Sequence, residues 1–423
     1  SGINYKEEIN MNKCKCDVLM KAMQRWFPAP LLGGLALAVA VGPVYAEKGD
    51  DVMEIEDKMP AILTTDKLSD TPEILRAPPP DDRRMYVVDP AAFDVLTKVI
   101  PIDGASGDYL GTMDTGLLAV PQASPKDGQV YVADTRYSMH SRWDKDDIVV
   151  RWDPRELKPL EVIDIPDTRS GAMVHNGGSA ISNDGRYFYS YQFTPVNGVV
   201  IVDLEKKKYL DTIETSQCWY VYATGNNRFA VRCRDGSITM VTHDGNGKEV
   251  SRVSSDPIHP PVDQPTYNDP AYDQLTGKMY LVSFWGKVYP VDLSGDKPVA
   301  GQSWDLLTGD ERDNNWAPGG WQPLAYHAKS GRLFVAMDQR AKWAHTSESG
   351  EVWVYDVNTG KRVKKMHLSH EAANIAVDRA DKPHLYALSS HHQSLDIYDI
   401  ETGALIAHQG ELGHEPRLLV TNP

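Results

Sequence analysis

The chain has 423 residues, 24% of them charged and 41% hydrophobic, a globular composition carrying a formal net charge of −15. That acidity disfavours nucleic acid and anionic membrane surfaces as partners. No apolar run approaches the ~18–20 residues that span a bilayer, which excludes a helical membrane protein.

Residues 1–46 read as a leader. Lys13, Lys15, Lys21 and Arg25 form a basic stretch, residues 31–41 are small and aliphatic, and Val44-Tyr45-Ala46 is a small-residue cleavage site. Ten mostly polar residues precede Met11, which makes that methionine the expected natural start of a cleaved signal peptide. Export follows, and with no stop-transfer segment downstream the mature chain is expected to be a soluble periplasmic protein. An uncleaved amino-terminal anchor is the alternative. Removing the leader's five Lys/Arg and three Asp/Glu takes the net charge from −15 to −17. A soluble surface accounts for this acidity as well as steering of a basic partner does.

Residues 47–82 are acidic, contain prolines and are poor in aromatics, as an extended arm would be. Residues 53–59 carry a weak helical pattern of one or two turns.

From residue 83 to 423 one pattern recurs seven times. A turn residue and an apolar residue introduce Tyr86, Tyr131, Phe188, Phe229, Tyr280, Phe334 and Tyr386, at spacings of 45, 57, 41, 51, 54 and 52 residues. A second apolar run follows in most copies and ends in Asp153, Asp203, Asp292, Asp356 or Asp399. Repeats of this period without helical pattern predict an all-β, seven-bladed β-propeller. Each unit leaves a sheet face bare, and packing seven around an axis covers them all. The aspartates fall where a turn needs a side-chain acceptor, so they are not candidate general bases. Ring closure is expected from pairing of residues 417–420 with an early strand, which removes the exposed edges.

Of four cysteines, Cys14 and Cys16 leave with the leader. Cys218 and Cys233 flank a hairpin that turns at Gly225-Asn226, and folding there sets the two opposite each other. In an oxidising compartment a structural disulfide is expected.

A search for chemistry returns little. His327, His367 with His370, and the adjacent His391-His392 offer imidazoles. None has helical spacing with a third ligand, and neighbours on a strand point to opposite faces. No metal site is expected, and the histidines read as surface or loop residues. Covalent haem, nucleotide-loop and serine-elbow motifs are missing, and both mature cysteines are tied up. No catalytic residue is expected in this chain. Most of Trp152, Trp285, Trp304, Trp316, Trp321, Trp343 and Trp353 are assigned to the inter-blade core by alternation. The loop from Asp313 to Gln322, in which Trp316 and Trp321 flank Pro318-Gly319-Gly320, is read as an ordered apolar loop that caps the propeller or receives a partner.

At this loop the chain resembles the heavy chain of methylamine dehydrogenase, in the quinoprotein amine dehydrogenase family. The stretches Asn268-Asp269-Pro270-Ala271-Tyr272, Trp316-Ala317-Pro318-Gly319-Gly320-Trp321-Gln322 and Ala325-Tyr326-His327 carry it. So do Asp338-Gln339-Arg340 with Trp343 and His345, Leu385-Tyr386-Ala387-Leu388-Ser389, and Gly413-His414-Glu415-Pro416. Cys233-Arg234-Asp235-Gly236-Ser237 is similar to the family's second bridging cysteine and its sequel. In order, these cover the chain from about residue 83 to its end.

The resemblance implies a non-catalytic subunit of a periplasmic amine dehydrogenase. Two heavy propellers would hold two disulfide-rich light chains, each with tryptophan tryptophylquinone made from its own tryptophans. Primary amines would be oxidised to aldehyde and ammonia, with electrons passed to a blue-copper protein such as amicyanin. A rigid propeller over the quinone would exclude bulk water and confine entry to one channel. The family places a phenylalanine at the channel mouth, after the first blade, and alignment of residues 111–118 puts Leu117 there. The smaller side chain implies a wider entrance and brings longer aliphatic or arylalkyl amines into range, unless a neighbouring side chain fills the gap. An aromatic amine dehydrogenase heavy subunit is the alternative within the class. Outside it stand a binding or scaffolding propeller without a light chain and a propeller lactonase or hydrolase, the last lacking an assembled ligand cluster.

Overall fold

The structure, a computed structural model, describes residues 76–90, 96–140, 142–169 and 174–422. The expected leader, and most of the acidic arm with its turn at 53–59, lie outside the described residues. The remaining chain forms seven antiparallel sheets. Among the described residues helix is confined to the capped turn Gly309–Asp313 and the 3-10 turn Asn176–Gly178. No helix among them is long and apolar enough to cross a membrane.

Every blade is a meander that runs outward from the axis strand by strand. In blade two the order outward is Val120–Ala123, Val130–Met139, Arg142–Trp152 and Pro159–Ile165. In blade three it is Ser179–Ile181, Tyr187–Gln192, Gly198–Asp203 and Lys208–Glu214. Blade four runs Cys218–Ala223, Arg228–Cys233, Ile238–His243 and Glu249–Ser254. All seven repeat aromatics lie on second strands and are buried, none more than 6% exposed. Sandwiching between neighbouring blades explains the unbroken apolar runs: Gly198–Asp203 is buried at every position, while the outer strand Glu249–Ser254 is exposed at every position. The sequence therefore grades from β-branched and apolar to charged as each blade runs outward.

Blade one closes the ring. Its inner strand is Leu418–Thr421, paired antiparallel with Met85–Asp89 in the register Met85↔Thr421 to Val88↔Leu418. The side-chain amide of Gln322 completes the join. Its Nε2 donates to the Leu419 carbonyl at 3.0 Å, and its Oε1 accepts from the Leu419 N–H at 2.9 Å.

The predicted aspartates do close the third-to-fourth-strand turns. Asp153 Oδ1 accepts from the N–H groups of Arg155 and Glu156, and Asp203 Oδ1 from those of Glu205 and Lys206. Asp356 and Asp399 repeat the device, and Asp244, not picked out from the sequence, does the same.

Cys218 and Cys233 are bridged and in register. The hairpin reaches that register through a bulge. Nearer the turn Tyr222 pairs with Ala230, one residue off the Cys218–Cys233 frame, and Tyr220 absorbs the difference at φ 62°. Closing a loop of 15 residues in sequence contributes about 3 kcal/mol on the chain-entropy account. Cys218→Ala with Cys233→Ala is therefore expected to lower the melting temperature of the full chain while leaving it folded. A double variant that melts with the parent would show the bridge to be energetically idle.

The tryptophans divide differently from the alternation pattern. Trp152 and Trp353 are buried, Trp304 and Trp316 pack half-buried against the core between blades five and six, and Trp343 is 59% exposed. Trp285 and Trp343 sit on second-to-third-strand turns, where strand alternation has no meaning.

Candidate functional site

The antiparallel order brings two kinds of connection to one end of the propeller: those between blades, and those between second and third strands. The turn holding Leu117, the connection with Arg169 and His175, the loop of Trp321, and the turns of Trp285 and Trp343 all emerge there. A cavity of about 810 Å³ opens at this end over blades two to four. Leu118, Phe193, Trp219, Tyr220 and Trp321 give it an apolar, aromatic wall, and Arg169 and Arg234 give it positive charge.

Its floor is built on a buried histidine–aspartate pair. His175 Nδ1 lies 2.7 Å from Asp269 Oδ2, and the Asn176 N–H donates to Asp269 Oδ1 at 2.8 Å. The Trp321 ring stacks on His175 at 4.7 Å and 18°, and the Trp321 indole N–H donates to the Val174 carbonyl at 3.0 Å. With Nδ1 committed to the carboxylate, Nε2 is directed toward Asn268 Nδ2, 3.5 Å away. The Asn268 carbonyl is itself held by Arg232 Nη1 at 2.9 Å and the Tyr222 hydroxyl at 3.3 Å. The Tyr220 ring tilts against His175 at 5.1 Å. Burial, and then the Asp269 charge, push the Tyr220 phenol well above its ordinary pKa, so it stays protonated. Gly177 is required here, because a Cβ would come within 2.6 Å of Tyr220 Cβ.

The wall at Leu117 and Leu118 is pinned from one side. Arg169 Nη1 donates to the Leu117 carbonyl at 3.0 Å and to Thr135 Oγ1 at 2.6 Å, and Nη2 donates to the Leu118 carbonyl. Thr135 Oγ1 in turn donates to Asp147 Oδ1 at 2.7 Å, and Lys145 Nζ to Asp147 Oδ2 at 2.7 Å. Burial lowers the Arg169 pKa, opposed by Asp147 and Asp134, and the guanidinium remains charged. Leu117 is half-buried in this turn, and its neighbour Leu118, held at φ 51°, lines the cavity.

Among the described residues the lining contains no Ser, Thr, Cys, Lys, Asp or Glu. His175 is oriented as a general base would be, yet among the described residues no Ser, Thr or Cys borders the cavity with it. The arrangement offers shape, aromatic surface and hydrogen-bonding groups. A second aromatic patch lies on the same end: Trp285 and Trp343 meet edge to face at 5.0 Å, with Lys342 Nζ 5.4 Å over Trp285. The loop of Trp316 and Trp321 is ordered, as expected. Trp316–Pro318 pairs with Arg332–Gln339, the second strand of blade six, and the Pro318 carbonyl accepts from the Tyr267 hydroxyl at 2.7 Å.

Sequence reasoning missed Arg169, His175 and their partners. Asp269 was noticed only within a stretch of family resemblance, and Trp321 as part of an apolar loop with no role beyond capping or receiving a partner. Other histidines depart from their sequence reading. His327 is buried, its ring nitrogens bonded to Ser330 Oγ at 2.8 Å and the Ala380 carbonyl at 3.1 Å, so it is a core residue rather than a surface one. His391 and His392 lie in a turn, not on a strand, and the opposite-face argument does not apply to them.

Fold and cavity together define an all-β, seven-bladed propeller with an aromatic cavity at one mouth of its central channel. Residues 81–423 match the methylamine dehydrogenase heavy chain (MADH) family. The chain is similar to the methylamine dehydrogenase heavy chain of Methylobacillus flagellatus, with 34% identity over 403 residues, 94% of this chain and 100% of that one. The heavy chain from Paracoccus versutus is 34% identical over 357 residues, 84% of this chain and 83% of that one. The chain belongs to the methylamine dehydrogenase heavy chain family. Among solved structures, a functionally unknown protein from Desulfotomaculum acetoxidans shares the fold with a TM-score of 0.52 at 10% identity, covering 80% of this chain and 99% of that one. A dihydro-heme d1 dehydrogenase does so with a TM-score of 0.50 at 17% identity, over 81% of this chain and 66% of that one.

Proposed function

We propose that this chain is the heavy subunit of a periplasmic primary-amine dehydrogenase, without catalytic residues of its own. It would hold a light chain carrying tryptophan tryptophylquinone, in an assembly of two heavy and two light chains that passes electrons to a blue-copper protein such as amicyanin. The observation that carries this reading is the family match over residues 81–423. The aromatic cavity, with Trp321 and Tyr220 around a fixed His175, supports it, because such a wall suits a partner's ring system better than a free metabolite. Bound nearby, the quinone would supply the electrophile and electron sink for amine oxidation. This chain's part is to exclude water with Leu118, Phe193 and Trp321, and to fix the entrance through Arg169. Its two aromatic patches give the docking face what a permanent interface needs, in the ~2,000–5,000 Å² range of obligate complexes.

The test is assembly. The isolated chain is expected to show no dye-linked oxidation of methylamine, butylamine or phenylethylamine, and activity is expected on co-expression with the light chain. Amine oxidation by the isolated chain would overturn the subunit reading.

Leu117 is proposed to shape the channel mouth. In assembled enzyme Leu117→Phe is expected to shift preference toward small amines and Leu117→Ala toward bulky ones. An apolar contact of this kind is worth ~1–3 kcal/mol, or roughly ten- to two-hundredfold in relative kcat/KM. A common factor for all three amines in both variants would place the gate elsewhere.

A further inference from the structure

At the rim of the same end, three side chains that the sequence keeps far apart converge. His370 stands near the close of the last strand of blade six, Lys361–Ala372. Asp396 and His408 come from adjacent strands of blade seven, Ser394–Asp399 and Leu405–Gln409. His370 Nδ1 is 2.9 Å from Asp396 Oδ2, and His408 Nδ1 is 2.6 Å from Asp396 Oδ1. Their ligand atoms all lie within 4.8 Å of one another. We infer that His370, Asp396 and His408 form a binding site for one divalent transition-metal ion of the zinc class, independent of the amine-oxidising role.

Four features carry this. The donor set, two imidazoles and one carboxylate, is the set that zinc and its neighbours take when three protein ligands leave a fourth position for water. The ring centres of His370 and His408 are 5.0 Å apart. Two imidazoles at Zn–N of about 2.0–2.1 Å and a tetrahedral angle place their centres about 5 Å apart. The carboxylate is already oriented: the Tyr398 hydroxyl donates to Asp396 Oδ2 at 3.0 Å and accepts the Ser369 N–H at 2.6 Å, the kind of outer support that ligating carboxylates receive. Exposure grades as an ion needs, with the Asp396 side chain 2% exposed at the base and those of His370 and His408 38% and 43% exposed toward solvent.

His392 closes one side, its ring centre 5.2 Å from that of His370. His367, the partner considered for His370 from sequence, instead faces Glu351 at 3.2 Å with its side chain 83% exposed, and takes no part. An ion at this point would join the outer strands of blades six and seven and draw each N–O pair apart to ligand–ligand spacing. Binding needs only loss of the protons now shared between imidazole and carboxylate, so no redox partner is called for.

The experiment uses the full mature chain, stripped with EDTA and dialysed, then titrated with zinc chloride by calorimetry and, separately, followed by thermal melting. One ion per chain with micromolar Kd and a zinc-dependent rise in Tm is expected. His370→Ala and His408→Ala, both partly exposed and checked for unchanged circular dichroism, are each expected to weaken binding at least tenfold and to remove the Tm rise. Copper(II) chloride should compete for the same site and show an electron paramagnetic resonance spectrum with nitrogen coupling, lost in the double variant. Absence of saturable zinc binding, or binding that persists unchanged in the double variant, would overturn the assignment. Neither outcome bears on assembly with a light chain, so the two readings fail separately.

Discussion

A chain ending at Pro416 is expected to lose its cooperative thermal transition. The residues removed include the whole inner strand of blade one, Leu418–Thr421, and with it the strand pairing to Met85–Asp89, leaving the bonds of the His414 and Glu415 N–H groups to the Asp89 carboxylate. Leu418, Leu419 and Val420 are 0%, 1% and 6% exposed. At ~1.5–3 kcal/mol for each fully buried aliphatic side chain, their loss costs roughly 5–9 kcal/mol. Whole domains are stable by only about 5–15 kcal/mol. The amide of Gln322 would also lose both its partners. Because the truncated chain is expected to be insoluble, Leu419→Ala and Gln322→Ala provide graded versions. The first should cost ~2–5 kcal/mol as a large-to-small core change, and the second ~1–3 kcal/mol for a buried backbone pair left unsatisfied. Denaturant melts measure both. A truncated chain that melts like the parent would mean the ring is held by something other than strand pairing.

Arg169→Met is expected to be the most damaging single change at the cavity. It leaves the Leu117 and Leu118 carbonyls without their shared donor, at ~1–3 kcal/mol for each group unpaired, or roughly 2–6 kcal/mol together, while Thr135 keeps its bond to Asp147. The turn would be freed, and Leu118 holds its φ of 51° only while the surroundings impose it. Lower stability and weaker capture of the light chain are both expected. Arg169→Lys should recover part of the stability but not the turn, since one ammonium cannot reproduce a fork that reaches three oxygens. An Arg169→Met variant with parental melting and parental light-chain capture would show that the turn supports itself.

The fold was legible because burial between blades writes itself into the chain. Tyr86, Phe188 and Phe334 recur where second strands must fill the gap between sheets, and Asp153 or Asp399 recurs where a tight turn needs an acceptor. Cys218 and Cys233 followed from hairpin geometry, although the offset at Tyr220 did not. The tryptophans misled where alternation was extended past strand ends into the turns of Trp285 and Trp343. The site was far less legible. His175 and Asp269 meet from different blades, as do His370 and Asp396, and local spacing carries no trace of that. Arg169 lies in an irregular inter-blade connection, where no period exists to flag it. Family resemblance pointed to Trp321 and to the end of the molecule that matters, but the hydrogen bonds that hold it are tertiary.

The pairing of Tyr86 with Val420 has a kinetic consequence. Blade one takes three of its strands from residues 85–115, and the fourth, Leu418–Thr421, follows the strands of the other six blades. Until Leu418–Thr421 has been made, the inner edge of Met85–Asp89 lacks its partner strand, and an unpaired strand edge is a template for intermolecular pairing. Contacts of such long range also come late, because the loop must close before they return any energy. Closure of the seam is therefore expected to be a late step of folding, with the interval before it the one most exposed to aggregation. Once Leu418–Thr421 docks and Gln322 clasps Leu419, the two ends of the propeller are bound to each other, and neither can fray alone.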